Sequence, residues 1–197
     1  MNVEKTIKNL TKRGYSVKFF PTGAEAAAYM DAEIKGKSVG IGGCMTAEEL
    51  GLYELLGREN SVYWHWKAPG TETIAKANSA EVYITGANAI TEQGEILNID
   101  GKGNRLAGQV YGDKKLYIIS GINKICPDFE SALDRARNIA SVRNCKRFEA
   151  FNNPCKIDDK CHDCHSKTRI CNALLVLWAP MMCMESEVIL IGEELGY

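Results

Sequence analysis

Lys37-Ser-Val-Gly-Ile-Gly-Gly-Cys-Met-Thr-Ala-Glu-Glu-Leu50 carries the fold signal: a short strand of buried type runs into glycines and then into a helix. Thr46 with Glu49 fits a capping box, and the helix it opens carries Leu50, Tyr53, Leu55 and Leu56. The alternation repeats outward. Upstream, Val3–Lys12 is amphipathic, Gly14 ends it, Ser16–Phe20 reads as a strand, and Thr22 with Glu25 caps another helix. Downstream, strands are expected at 62–65, 81–85, 115–120 and 187–191, with a hairpin around Gln93-Gly94. From Asp128 a helix follows. Phe129, Ala132, Leu133, Ala136, Ile139 and Ala140 share one face, leaving Glu130, Asp134, Arg135 and Arg137 to solvent. Strands alternating with helices predict an α/β fold: a mostly parallel sheet with helices on both faces. The whole of 1–197 reads as a single domain, with a cysteine-rich segment at 153–172.

Length and composition agree with this. A chain of 197 residues is ample for one hydrophobic core, and its 45% apolar and 25% charged shares are those of ordinary globular proteins. Twenty-four basic residues against 25 acidic ones offer no nucleic-acid-binding face. The longest apolar run, 173–184, is broken by Pro180 and too short to span a bilayer, so no membrane is expected. The N-terminus, M-N-V-E-K-T-I-K, lacks the apolar core of a signal peptide. A cytoplasmic, reducing compartment is therefore expected, and the eight cysteines do not read as four disulfides.

The glycine turn suggests a ligand. Gly40, Gly42 and Gly43 precede the capped helix, so backbone N–H groups of Gly42, Gly43, Cys44, Met45 and Thr46 point toward one spot suited to an anion. The loop is neither a dinucleotide fingerprint nor a Walker loop, since no third glycine and no Gly-Lys-Ser/Thr follows. A tight turn without a ligand is the plainer alternative. Other strands also end in small polar turns, which would bring Asn88, Ser120, Asn123 and Lys124 toward the same cleft. The stretch after the hairpin adds Asp100, Gly101, Asn104 and Arg105. Asp100 is a candidate general base, and Arg105 or Lys124 could neutralise an anion. In the structural alternative, Asp100-Gly101 is a turn and Asn104-Arg105 a helix start. Cys44 is either a thiol activated by the helix or a small residue fitting the turn. His65, between Trp64 and Trp66, reads as a packed histidine more readily than as a catalyst.

Four of the eight cysteines, Cys155, Cys161, Cys164 and Cys171, fall in the pattern C-x5-C-x2-C-x6-C. The uneven spacing and the neighbouring Pro154 suit a [4Fe–4S] cluster better than zinc, which usually takes two C-x2-C pairs or spaced histidines. Zinc, free thiols and a redox-active dithiol stay open. Cys126, Cys145 and Cys183 are expected to fill core or surface positions.

Together these blocks resemble the lactate-utilisation (LUD) domain family: V-G-I-G-G-C-M-T-A-E-E-L-G, G-A-N-A-I-T-E-Q-G-E-I-L-N-I-D-G-K-G-N-R, I-I-S-G-I-N-K-I, C-H-D-C-H-S-K-T-R-I-C and V-I-L-I-G-E-E-L-G-Y. The resemblance spans nearly the whole chain. It implies the fold shared by ribose-5-phosphate isomerase, glucosamine-6-phosphate deaminase and CoA transferases, with a small-molecule site where strand-end loops meet. It also implies redox or carbon metabolism of a hydroxy or keto acid such as lactate, with iron–sulfur or oxidoreductase partner proteins. The rival readings are a non-catalytic accessory or electron-transfer subunit of a dehydrogenase complex, and an isomerase- or transferase-like enzyme with structural zinc. Relatives commonly carry serine at the position of Cys44. Whether the chain is itself an enzyme, and whether it forms a homo-oligomer, stay open.

Overall fold

The computed structural model describes all residues from Met1 to Tyr197. Six short segments rich in Val, Ile and aromatic side chains form one sheet: β1 (Ser16–Phe20), β2 (Ser38–Ile41), β3 (Ser61–Trp64), β4 (Val82–Gly86), β7 (Lys114–Gly121) and β10 (Met184–Ile191). Their order is β1-β10-β7-β4-β2-β3, and every pairing is parallel. The chain's last strand thus inserts between β1 and β7, one position in from the edge of the sheet. A second, four-stranded sheet runs β8-β5-β6-β9, from β5 (Ala89–Thr91), β6 (Ile96–Asp100), β8 (Ile125–Cys126) and β9 (Ala173–Leu177). The expected hairpin is its β5–β6 pair, turning through Gly94 at φ +86°.

A parallel sheet must be covered on both faces, and strand alternation divides the apolar side chains between two cores. Ile84, Tyr117, Ile119, Ile189 and Ile191 face Ala26 and Met30 of α2 (Gly23–Glu33), Ala47 of α3 (Met45–Glu49), and Leu52 and Leu56 of α4 (Leu52–Leu56). Tyr83, Leu116, Ile118, Val188 and Leu190 point the other way. They meet Leu10 of α1 (Val3–Lys12), Ala77 of α5 (Thr71–Asn78), and Ile90, Ile96 and Leu177 of the second sheet. Burying such side chains contributes roughly 1.5–3 kcal/mol each, which makes these strands the rigid part of the molecule.

Two local expectations need correction. Thr22 and Glu25 do form a reciprocal capping box, but Thr46 and Glu49 do not. Cys44 caps α3, its Sγ accepting the Ala47 N–H at 3.4 Å, and left-handed Gly51 breaks the expected helix into α3 and α4. The helix after Asp128 is likewise interrupted. A π-helical turn over Arg135–Ala140 joins α7 (Phe129–Asp134) to α8 (Ser141–Lys146). The wider turn shifts the phase of the helical face. Phe129 and Ile139 are 40% and 38% exposed, whereas Arg135, expected in solvent, is buried.

Candidate functional site

All parallel strands end at one edge of the sheet, the edge where ligands bind in open α/β folds. There β2, β3, β4 and β7 lead into Gly43, Trp66, Gly86 to Asn88 and Lys124, around a cleft of about 530 Å³. The end of β6 and the start of α6 (Asn104–Val110) add Asp100, Gly101, Asn104 and Arg105. Gly43, Cys44, Met45, Asn88, Asp100, Gly101, Asn104, Arg105 and Lys124 all line this cleft, as the sequence suggested. Gly42 and Thr46 stand behind it. A Cβ on Gly42 would fall 2.9 Å from Arg105 Cγ, and Thr46 Oγ1 accepts a hydrogen bond from Lys124. Ser120 and Asn123 do not reach the cleft. Ser120 donates to the Gly121 carbonyl, and Asn123 Oδ1 accepts the Leu195 N–H.

Several lining residues also hold the site together. Asp100 Oδ2 accepts the Arg105 backbone N–H at 3.2 Å, a carboxylate near the N-terminus of α6. The Arg105 guanidinium donates to the carbonyls of Gly43 and Ile99, strapping the glycine loop to β6. Asn88 Oδ1 accepts the Ile99 N–H, so that amide is occupied by the scaffold. Burial pushes the Cys44 thiol above its ordinary pKa, against the opposing pull of Lys124. Cys44 thus fits the turn as the cap of α3, and its burial favours the neutral thiol. Burial holds His65 below the usual imidazole range, with Lys102 adding to the effect.

Sequence reading missed Arg147, whose guanidinium lies 3.8 Å from the Trp66 ring centroid, and the stacked pair Phe148–Phe151, 4.8 Å between centroids. It also missed Arg135. That guanidinium donates to the carbonyls of Asn123, Asn88 and Tyr197, tying three chain segments beneath the cleft. No spacing rule marks these residues. Their roles come from the π turn and from the fold's closure.

The cysteine segment forms a wall of this cleft through Lys167, Thr168, Arg169 and Ile170. On its other side lies a small cavity of about 20 Å³ lined by Cys155, Cys161, Cys164 and Cys171. Cys145 is buried, as expected of a core position, and also lines this cavity. Cys126 is buried and Cys183 exposed, and all eight thiols are free. Arg137 Nη2 donates to Cys161 Sγ at 3.5 Å, and Asn153 Nδ2 to Cys145 Sγ at 3.1 Å. Burial first, and a hydrogen bond with Cys145 second, push Cys155 up to about 12. No three Cys, His, Asp or Glu side chains are set to hold a single metal ion. The donors nevertheless fit a thiolate-ligated centre in kind: these four soft sulfurs line one cavity, with the Arg137 and Arg169 guanidinium groups beside them to offset their charge.

The two cavities are neighbours. Ser141, Arg169 and Ile170 line both. Asn172 donates its N–H to the Asp100 carbonyl at 2.9 Å and its side-chain amide to the Gly101 carbonyl at 3.0 Å. Gly101 is required at this junction, because a Cβ there would come 2.9 Å from the Ile170 carbonyl oxygen.

Fold and site together define an α/β cleft protein whose ligand edge is walled by a cysteine-rich loop. The chain belongs to the LUD domain family, associated with lactate utilisation, and the family model matches residues 3–191. A solved DUF162 family protein from Deinococcus radiodurans shares the fold at 14% identity, with a TM-score of 0.58 over 96% of each chain. No curated protein matches the chain. No helix is long and apolar enough to cross a membrane.

Proposed function

We propose that this protein binds a small organic anion, a hydroxy or keto acid such as lactate or pyruvate, in the strand-end cleft. One observation carries the reading. Lys102, Arg105, Lys124, Arg147, Lys167 and Arg169 line a single cavity in which Asp100 is the only acidic side chain. Converging cations focus a positive potential that attracts and orients a carboxylate. Gly43, Cys44 and Met45 form the floor, Arg105 fixes that floor to β6, and Trp66 and Phe148 add aromatic surface to the lining.

The second part of the proposal assigns Cys155, Cys161, Cys164 and Cys171 to a [4Fe–4S] cluster, with zinc as the alternative. A cluster there would supply electron transfer beside the anion site, in redox or carbon metabolism. Support comes from the four cysteines lining one cavity that shares a wall with the cleft. Anaerobic purification followed by iron, sulfide and zinc analysis tests the cysteine assignment. Stoichiometric zinc without iron would remove the cluster. Calorimetric titration with L-lactate, pyruvate and oxalate tests the cleft. Binding lost on Arg147→Ala, at a residue packed on Trp66 rather than within the Arg105 strap, is the expected result. The absence of binding by all three anions would overturn the assignment.

A further inference from the structure

Lys124 is buried more deeply than attraction of an anion requires. It follows β7 and lines the cleft, yet only 3% of its surface is exposed. Its Nζ makes one hydrogen bond, to Thr46 Oγ1 at 3.0 Å, and forms no ion pair. An ammonium has three N–H donors, and hiding it from water with one acceptor is costly. The other lysines lining the cleft, Lys102 and Lys167, provide charge without that burial. Glycines border the amine. A Cβ on Gly86 would lie 3.9 Å from Nζ, and one on Gly196 only 2.9 Å from it. A side chain is thus absent at Gly196, where it would crowd the nitrogen, while the Gly86 distance is one of ordinary contact. Burial also lowers the Lys124 pKa to about 8, leaving an appreciable fraction as the free amine in mildly alkaline solution. Buried, unpaired lysines of this kind suit nucleophilic attack on carbonyl carbon.

We propose that Lys124 is a nucleophile that captures a 2-oxo acid as an imine, with the basic lining of the cleft holding the acid's carboxylate. The proposal rests on the anion-binding reading above and narrows it to carbonyl-bearing acids. The Nζ lone pair forms the C–N bond, and the carbonyl oxygen leaves as water. The two hydrogens lost from the amine balance those of that water, through exchange with solvent. No electrons are gained or lost, so no oxidant or reductant is needed.

Reductive trapping tests it. Wild-type protein is incubated with pyruvate and sodium cyanoborohydride, then analysed by intact mass and peptide mapping. One adduct per chain is expected on Lys124, with the mass of pyruvate less water plus two hydrogens. It is expected to be lost in Lys124→Arg and Lys124→Met. Absence of an adduct, or labelling spread evenly over Lys102, Lys167 and surface lysines, would overturn the proposal. Oxalate, which has no ketone, is titrated in parallel. Oxalate binding without pyruvate adduct overturns the imine alone, whereas failure of both anions to bind overturns the cleft reading as well.

Discussion

Cys44, Ala87 and Lys124 on the cleft floor follow buried parallel strands and are themselves nearly inaccessible, whereas Asn153 is the only buried residue between Arg147 and Asn172 in the cysteine loop. The two cavities share Ser141, Arg169 and Ile170, yet different forces hold them. The floor inherits the rigidity of two apolar cores and the Arg105 strap. The loop has one four-residue helix, α9 (Cys155–Asp158), left-handed Asp159 and Asp163, and mostly exposed polar contacts. Segments with so little buried surface open at low free-energy cost unless another crosslink holds them. A thiolate-bound metal centre would provide that crosslink, because metal binding energy becomes local folding energy. The cleft floor is thus built by the sheet, whereas the loop would need a bound centre to be held as firmly.

The largest expected effect strikes the loop alone. Cys161→Ser and Cys164→Ser are each expected to abolish stoichiometric iron while leaving the hydrogen-exchange protection of the cleft floor at residues 42–46 close to wild type. Full iron retention in either variant would break the four-cysteine assignment. Next comes Arg105→Ala, which strips partners from the Gly43 and Ile99 carbonyls and is expected to cost about 2–4 kcal/mol in denaturant unfolding. A loss confined to the cysteine loop would contradict the strap.

Lys124→Met is expected to act with the opposite sign, stabilising the fold by about 1–3 kcal/mol at pH 7. Burial lowers this lysine from 10.5 to about 8, so the folded state disfavours the ammonium form. The penalty is fully present below pH 8 and is relieved between about 8 and 10.5, as the folded protein releases its proton before the unfolded chain does. The advantage of Lys124→Met is therefore expected to shrink across that window. Cys44, Glu49, Arg105 and Arg135 bear on the same amine, so the quantity to follow is the wild-type minus variant difference in unfolding free energy. A difference independent of pH would contradict the assignment. The smallest effect is expected for Asn153→Ala. It removes donors to Cys145 Sγ and the Thr168 carbonyl, and costs roughly 1–2 kcal/mol. Accelerated iron loss to a chelator would accompany it.

Much of the sheet was legible because buried strands announce themselves: the β-branched runs and glycine-ended turns located all six parallel strands to within a few residues. The cleft was legible for the same reason, since topology brings strand ends together. Cys44 was harder, because cysteine is an uncommon cap and Thr46-x-x-Glu49 imitates a capping box. Arg135 was misplaced because a regular helical period sends it to solvent, and only the π turn rotates it inward. Strand β9 hid within an apolar run whose role depends on pairing with β6, a long-range contact that carries no local signal. Cys145 lies ten residues before Cys155, outside any ligand spacing, and joins the other thiols only through helix α8.

Hydrogen–deuterium exchange on anaerobically purified protein, before and after chelator treatment, compares the two regions most directly. Stripping the metal is expected to accelerate exchange strongly across residues 155–171 and to leave the backbone of residues 42–46 and 85–88 unchanged. Unchanged exchange in the cysteine loop, or equal acceleration in both regions, would contradict the division between a cleft built by the sheet and a wall held by metal.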